Sequence, residues 1–389
     1  MKKSTIITVV AFALGLAVLA GGFVLFTENN ISDKLFATTT TTTTTTAPAD
    51  TYEPIDYSQV DVKQYIQLGQ YKDITVEVES LSASDELINE QIDMMLISNG
   101  EIEEVTSGAI NEGTIFSFDF TGYLDGVAFE GGAGTDTLAY IENNVLYIVS
   151  GSTFIDGFAQ GMLGANVGDE LSLDIKFPDN YGNAELAGKS TVFEVKINYI
   201  AKAANLTDDL INEMTDGAYK TAAEFRAYAK EYFDASIVSY NQSIAWDQVL
   251  SNSVFTIDPA EKKYYYDSIY DEITIYAQMY SMTASDFLGM GGASYVLGIE
   301  IYSLAELDEY VDSYIKEMIL MAAIIAEESL EVTEDEFNTF VDSVIESTGG
   351  TREELIEQYG EEYIKKVILD NEAQELIFDS VKYVLTTDK

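Results

Sequence analysis

The 389-residue sequence contains no cysteine and no histidine. Those two absences exclude thiol nucleophiles, disulfide frameworks, imidazole general bases and zinc sites built on either residue. Positive charge is also scarce: 20 Lys and Arg stand against 67 Asp and Glu, a formal charge of −47. A chain this acidic is not expected to bind nucleic acid or anionic lipid heads, because both need cationic side chains to displace counterions. No D-x-D-x-D-G calcium loop is found, and Asp179-Asn180-Tyr181-Gly182-Asn183 reads as a turn. Neither a metal nor a cofactor is expected. What the chain does have is apolar material, 47% hydrophobic and 12% aromatic, enough to bury a core in each of two or three domains.

Met1-Lys2-Lys3 is followed by an uncharged, mostly apolar run from Thr5 to Phe26, then by Glu28 and Asp33. The run is long enough to cross a bilayer, with the lysines holding the N-terminus inside. A cleaved signal ending at Val18-Leu19-Ala20 is the alternative. Leu19-Ala20-Gly21-Gly22 has the outline of a lipobox but lacks the Cys that lipidation requires. Nine threonines, Thr38 to Thr46, then Ala47-Pro48-Ala49 read as a spacer, bare or glycosylated. On this reading, residues 1–27 are an anchor or signal segment and 28–62 a Thr-rich linker. The expected localisation is a single-pass cell-membrane protein with its bulk extracytoplasmic.

Periodicity divides the remainder. Ile74 to Val78 alternates as a strand, and Leu87, Ile88, Ile92, Met95 and Leu96 fall at helical spacing, so 63–111 is a strand and helix leading inward. Between 112 and 201 the period is two. Phe116, Phe118 and Phe120 share one strand face, as do Leu171, Leu173, Ile175 and Phe177, and again Phe193, Val195, Ile197 and Tyr199. Leu124-Asp125-Gly126 and Val167-Gly168-Asp169 supply turns. From 202 to 389 the period is helical. The pairs Thr221/Glu224, Ser303/Glu306, Thr333/Glu336 and Thr351/Glu354, together with Asp258-Pro259, mark helix starts. The class is α+β, a small antiparallel sheet domain followed by a helical region.

Four strings in the sheet domain stand out. They are Phe118-Asp119-Phe120-Thr121-Gly122-Tyr123 running on to Phe129-Glu130-Gly131-Gly132, Phe154-Ile155-Asp156-Gly157-Phe158, Phe177-Pro178-Asp179-Asn180-Tyr181, and Leu186-Ala187-Gly188-Lys189 before Phe193. In this order they resemble the FKBP-type peptidyl-prolyl isomerase domain of trigger factors, and Leu68-Gly69-Gln70-Tyr71-Lys72 and Leu206-Thr207-Asp208-Asp209-Leu210 are similar to that domain's flanks. The resemblance implies an FKBP-like sheet wrapped around a helix, a helical chaperone region after it, and peptidyl-prolyl cis–trans isomerase activity. It also implies a prolyl pocket of Phe120, Phe129, Ile155, Phe158, Tyr181 and Phe193, bordered by Glu130, Phe154 and Leu186 where substrate binds. By pattern alone these aromatics read first as the core of a small β-domain, and the ordered motifs reverse that reading for Phe129, Ile155 and Phe158.

Such chemistry suits a chain without His or Cys, since rotating an X–Pro bond requires no proton transfer. Three departures from the family stand out. Residues 133–144 form a longer loop that could cover the pocket mouth, Phe120 replaces a hydrogen-bonding Tyr, and the ribosome-docking Gly-Phe-Arg signature is absent. The expected partners are unfolded or newly exported polypeptides containing X–Pro bonds, and the membrane through the N-terminal helix, with no nucleic acid and no ribosome docking. A holding chaperone without catalysis, or a surface-anchored adhesion protein, are the alternatives. Tyr264, Tyr265, Tyr266, Ile269, Tyr270, Ile273, Tyr276, Met279, Tyr280 and Met282 form either an adaptable client surface or an ordinary buried stripe, and exposure alone separates the two. Ile315, Ile319, Ala322, Ala323 and Ala326 read as an interior helix.

Overall fold

The computed structural model describes residues 52–386, apart from Ser152 and Asn180. The apolar run at 5–26 and the threonine run lie outside the described residues. Among those described, no helix is long and apolar enough to cross a membrane, so the expected transmembrane helix has no counterpart there. The described chain forms two units, one of residues 83–233 and the other of 52–82 together with 234–386.

Strands β1 (Ile66–Gln67) and β2 (Thr75–Val78) belong to the second unit. The first unit opens with helix α1 (Asp85–Ser98), where the Ser84 hydroxyl accepts the Leu87 N–H and Ile88, Ile92, Leu96 and Ile97 face inward. Its sheet comprises β3 (Ile102–Val105), β4 (Phe116–Leu124), β5 (Val127–Glu142), β6 (Val145–Ile148), β7 (Glu170–Lys176) and β8 (Ser190–Ala203). The order is β3-β8-β4-β5-β6, all antiparallel, with β7 pairing the first part of β8 on the side where β3 pairs its last part. Short helix α2 (Phe158–Met162) lies between β6 and β7.

Alternation along β8 buries Thr191, Phe193, Val195, Ile197 and Ala201, as the period-two pattern implies. The segment expected to be a loop over 133–144 is not one. Most of it continues β5, which pairs with β4 and then with β6 through a turn at Asn143 and Asn144, both at positive φ. Asn tolerates that left-handed conformation, so two adjacent asparagines close a tight hairpin. The apolar residues Leu138, Ala139, Tyr140 and Ile141 extend the sheet instead of capping a pocket.

Helix α3 (Asp208–Met214) precedes α4 (Ala222–Asn252), which begins in the first unit and ends in the second. At its start Thr221 accepts the Glu224 N–H at 3.1 Å while Glu224 accepts the Thr221 N–H at 3.2 Å. Strand β9 (Val254–Phe255) pairs with β1, and α5 (Pro259–Met279), α6 (Ala284–Gly289), α7 (Gly292–Leu297), α8 (Leu304–Glu328), α9 (Glu334–Thr348), α10 (Arg352–Tyr359) and α11 (Glu361–Ser380) follow. Thr333 with Glu336 and Thr351 with Glu354 form reciprocal capping boxes, whereas Glu306 reaches past Ser303 to the Tyr302 N–H. Strand β10 (Lys382–Leu385) then pairs in parallel with β2, across about 300 residues of sequence, a closure no local pattern announces.

The main core of this unit includes Ile269, Ile273, Ile315 and Ile319, and a smaller core joins Phe337 and Val341 to Ile364 and Ile368. The Tyr/Met stripe of α5 therefore divides. Tyr265, Ile269 and Ile273 are core, Tyr264, Tyr266, Tyr270, Tyr276 and Met282 are half-buried against it, and Met279 and Tyr280 are exposed. The interior reading of α8 holds for Ile315, Ile319 and Ala323, while Ala326 is exposed.

Candidate active site

The sheet unit buries a continuous cluster of phenylalanine rings. Strand β4 supplies Phe118, fully buried, and half-buried Phe120, and β8 supplies Phe193 at 4% exposure. Helix α2 begins at Gly157, whose φ of 104° is favourable for glycine and whose added Cβ would lie 2.8 Å from Ile175 Cδ1. That turn carries Phe158 to the base of the cluster, where it is 1% exposed. Its ring centroid lies 4.7 Å from that of Phe193 and 4.6 Å from that of Phe154.

Phe129, half-buried on β5, stands edge-on to Phe193 at 5.8 Å and to Phe177 at 6.0 Å. Its ring rests against backbone. A Cβ on Gly122 would come within 2.6 Å of it, and one on Gly132 within 2.4 Å. Only glycine at both positions leaves that space. Phe177 in turn packs against Tyr181 at 4.6 Å. Edge-to-face pairs of this kind each contribute about 0.5–1.5 kcal/mol beyond the area they bury.

Phe120, Phe129, Phe154, Phe158 and Phe193 are thus brought into one cluster. Ile155 is half-buried against the same core and Leu186 is buried within it. Tyr181 lies at the rim, 38% exposed, and Glu130 is exposed beside Phe129. Phe177, read from the sequence as a strand-face and motif residue but not as part of the pocket, contacts three of these aromatic rings and belongs with them. Its alternation with Leu173 and Ile175 was the available signal.

A polar network on the same sheet has no sequence pattern at all. Asp136, at positive φ, accepts hydrogen bonds from the Ser117 and Tyr199 hydroxyls, both at 2.6 Å, on Oδ1. Its own N–H donates to Asp119 Oδ1 at 2.8 Å, and Asn198 Nδ2 donates to the same Asp119 oxygen at 2.8 Å. The two hydroxyls hold the Asp136 carboxyl below its ordinary range, while burial and then that bond push Tyr199 up to about 12. The network sits where β4 and β5 shift register between Phe118 and Phe120, and so fixes the bulge that positions Phe120.

Residues 107–198 match the family model of FKBP-type peptidyl-prolyl cis-trans isomerases, and residues 303–382 that of the bacterial trigger factor C-terminus. The chain is 29% identical to a trigger factor of Agathobacter rectalis over 85% of its own length and 73% of the relative's. With a trigger factor of Clostridioides difficile it shares 28% identity over 72% and 63%, and with one of Clostridium beijerinckii 35% over 47% and 45%. The chain resembles trigger factors and carries an FKBP-type domain. Residues 107–198 form its peptidyl-prolyl cis–trans isomerase domain.

The relatives correct two expectations. The relatives are trigger factors, and that similarity overturns the expectation, based on one absent signature, that ribosome docking is excluded. The same similarity stands against the expected single-pass, extracytoplasmic placement, which is withdrawn.

Proposed function

We propose that the chain accelerates cis–trans isomerisation of X–Pro bonds in unfolded polypeptides at the ring cluster and holds those polypeptides on its helical unit. The barrier to X–Pro rotation, about 20 kcal/mol, is lost amide resonance. A twisted amide is less polar than a planar one, so an apolar site that excludes water favours the twisted state over the ground state. In this reading Phe158 and Ile155 form the floor beneath the prolyl ring. Phe120, Phe129 and Phe193 are walls, and the Tyr181 hydroxyl donates to the displaced carbonyl. Leu186 and Glu130 border the bound segment.

The observation that carries the reading is the connected packing of Phe129, Phe158 and Phe193 on glycine backbone, with a Tyr at its rim. For holding, support comes from the helical unit. Met279, Met290 and Tyr295 are 73%, 77% and 83% exposed, and Tyr280 stacks on Phe287 nearby. Exposed thioethers and aromatic rings make an adaptable surface for unfolded chains.

The test is catalysis of a proline-limited refolding reaction by the full chain, beside Phe129→Ala and Phe158→Ala. Acceleration by the wild type that both substitutions reduce supports the assignment. Acceleration that neither reduces places isomerisation elsewhere, and no acceleration by any of the three removes it.

A further inference from the structure

Phe158 is the proposed floor of the prolyl site, yet it is 1% exposed. A ring that solvent cannot touch cannot receive a proline until a neighbour moves. Two rings crowd it: Phe193 at 4.7 Å and Phe154 at 4.6 Å. Phe193 lies within β8, where its flanking residues pair with β4 on one side and β7 on the other, and it is 4% exposed. It has nowhere to go.

Phe154 differs in each respect. It is half-buried, lies outside the strands, and sits between Gly151 and Gly157, both at positive φ. Its N–H donates to the Leu146 carbonyl at 3.0 Å, a bond that side-chain rotation leaves intact. Its ring also stands edge-on to Phe120 at 5.0 Å and 5.6 Å from Phe118, so with Phe158 and Phe120 its partners include the proposed floor and a proposed wall of the prolyl site. Two open clefts among the described residues, about 390 and 420 Å³, are lined by Gln70 and Asn252 in one case and by Asn89 and Arg226 in the other, not by these rings.

We propose that the Phe154 side chain occupies the prolyl subsite of the resting protein and is a gate, so that substrate binds only after it swings outward. The inference rests on the isomerase reading above. A competent state populated at one part in ten weakens apparent affinity by that factor. Removing the gate therefore lowers KM for a short prolyl peptide by on the order of tenfold.

The experiment measures steady-state isomerisation of a Leu-Pro tetrapeptide, and calorimetric binding of the same peptide, for the wild-type chain, Phe154→Ala and Phe154→Leu. The leucine variant keeps apolar volume should the alanine variant unfold. A lower KM with tighter binding in either folded variant is the expected result, and activity appearing only in the variants supports the gate equally. A raised KM, or no change, makes Phe154 a wall or a bystander and overturns the gate while leaving the isomerase reading in place. If none of the three chains binds or turns over the peptide, both readings fall.

Discussion

Tyr57 donates its hydroxyl proton to the carboxylate of Glu261, 204 residues later in the chain and fully buried. The other carboxylate oxygen accepts the Ile55 N–H at 3.3 Å. Burial raises the Glu261 carboxyl above its ordinary range, with the two hydrogen bonds opposing that rise. One buried acid on α5 thus ties down the first described segment of the chain.

Glu261→Ala leaves the Tyr57 hydroxyl and the Ile55 N–H without their acceptor, a loss of about 1–3 kcal/mol when buried groups are orphaned. The expected result is a lower urea midpoint together with faster hydrogen exchange at Ile55. Unchanged exchange there would mean that segment 55–57 is held by its apolar contacts alone.

Glu317 gives a pH dependence of definite sign. Desolvation pushes its carboxyl up to about 7, while a hydrogen bond from the indole of Trp246, the one tryptophan of the sequence, opposes the shift. A folded-state pKa above the unfolded value means the unfolded chain binds fewer protons in between. The stabilisation is complete below the unfolded carboxyl pKa of about 4.3 and is lost as pH rises through about 7. Glu317→Gln should flatten stability against pH over that window, and Trp246 emission should lose its transition near 7. An identical slope in the variant would assign the pH dependence to other carboxylates.

The Asp136 network acts in the opposite direction. Its carboxyl is held low by the Ser117 and Tyr199 hydroxyls, so its contribution is present above the unfolded pKa and lost as pH falls through the lower folded value. Ser117 is fully buried, and Ser117→Ala should cost about 1 kcal/mol for its lost hydrogen bonds and loosen the bulge beside Phe120. Amide exchange at Phe120 and Thr121, compared with the wild type, is the measurement. A stability loss without faster exchange there would separate the network from the bulge.

Met279→Glu, Met290→Glu and Tyr295→Glu together should weaken suppression of client aggregation while leaving the melting temperature nearly unchanged, since exposed positions usually shift stability by about 0.5 kcal/mol or less each. Isomerisation of a short prolyl peptide should be unaffected. Full aggregation suppression by the triple variant would move the client surface away from this end of α5 to α7.

Strands β7 and β8 and the turn at Asp125-Gly126 were legible because one face of each strand is buried and side chains alternate at a period of two, and β4 was legible from the alternation of Phe116, Phe118 and Phe120 although Ser117 on its other face is buried too. Helix starts were legible for the same kind of local reason, a hydroxyl three residues before the N–H it accepts. The hairpin at 143–144 was missed: two asparagines are a weaker turn signal than Asp-Gly, and an insertion beside a binding motif invites reading as a loop. Within the ring cluster the residue identities were legible, but the closeness of Phe154 to Phe158 was not. It depends on the turn at Gly157, which spacing along the chain does not describe.

By itself, then, the sequence determined what this protein could not use, where its periodicities change, and which aromatic motifs occur in order. These are local properties, written in composition and in contacts a few residues long. Only the tertiary structure decided that β2 closes against β10, that Tyr57 reaches Glu261, that Tyr265, Ile269 and Ile273 of the Tyr/Met stripe are core while Met279 and Tyr280 are exposed, and that Phe158 lies sealed beneath Phe154. Each is a long-range pairing or a matter of exposure, fixed by how whole elements pack, and packing is a property of the chain as a body.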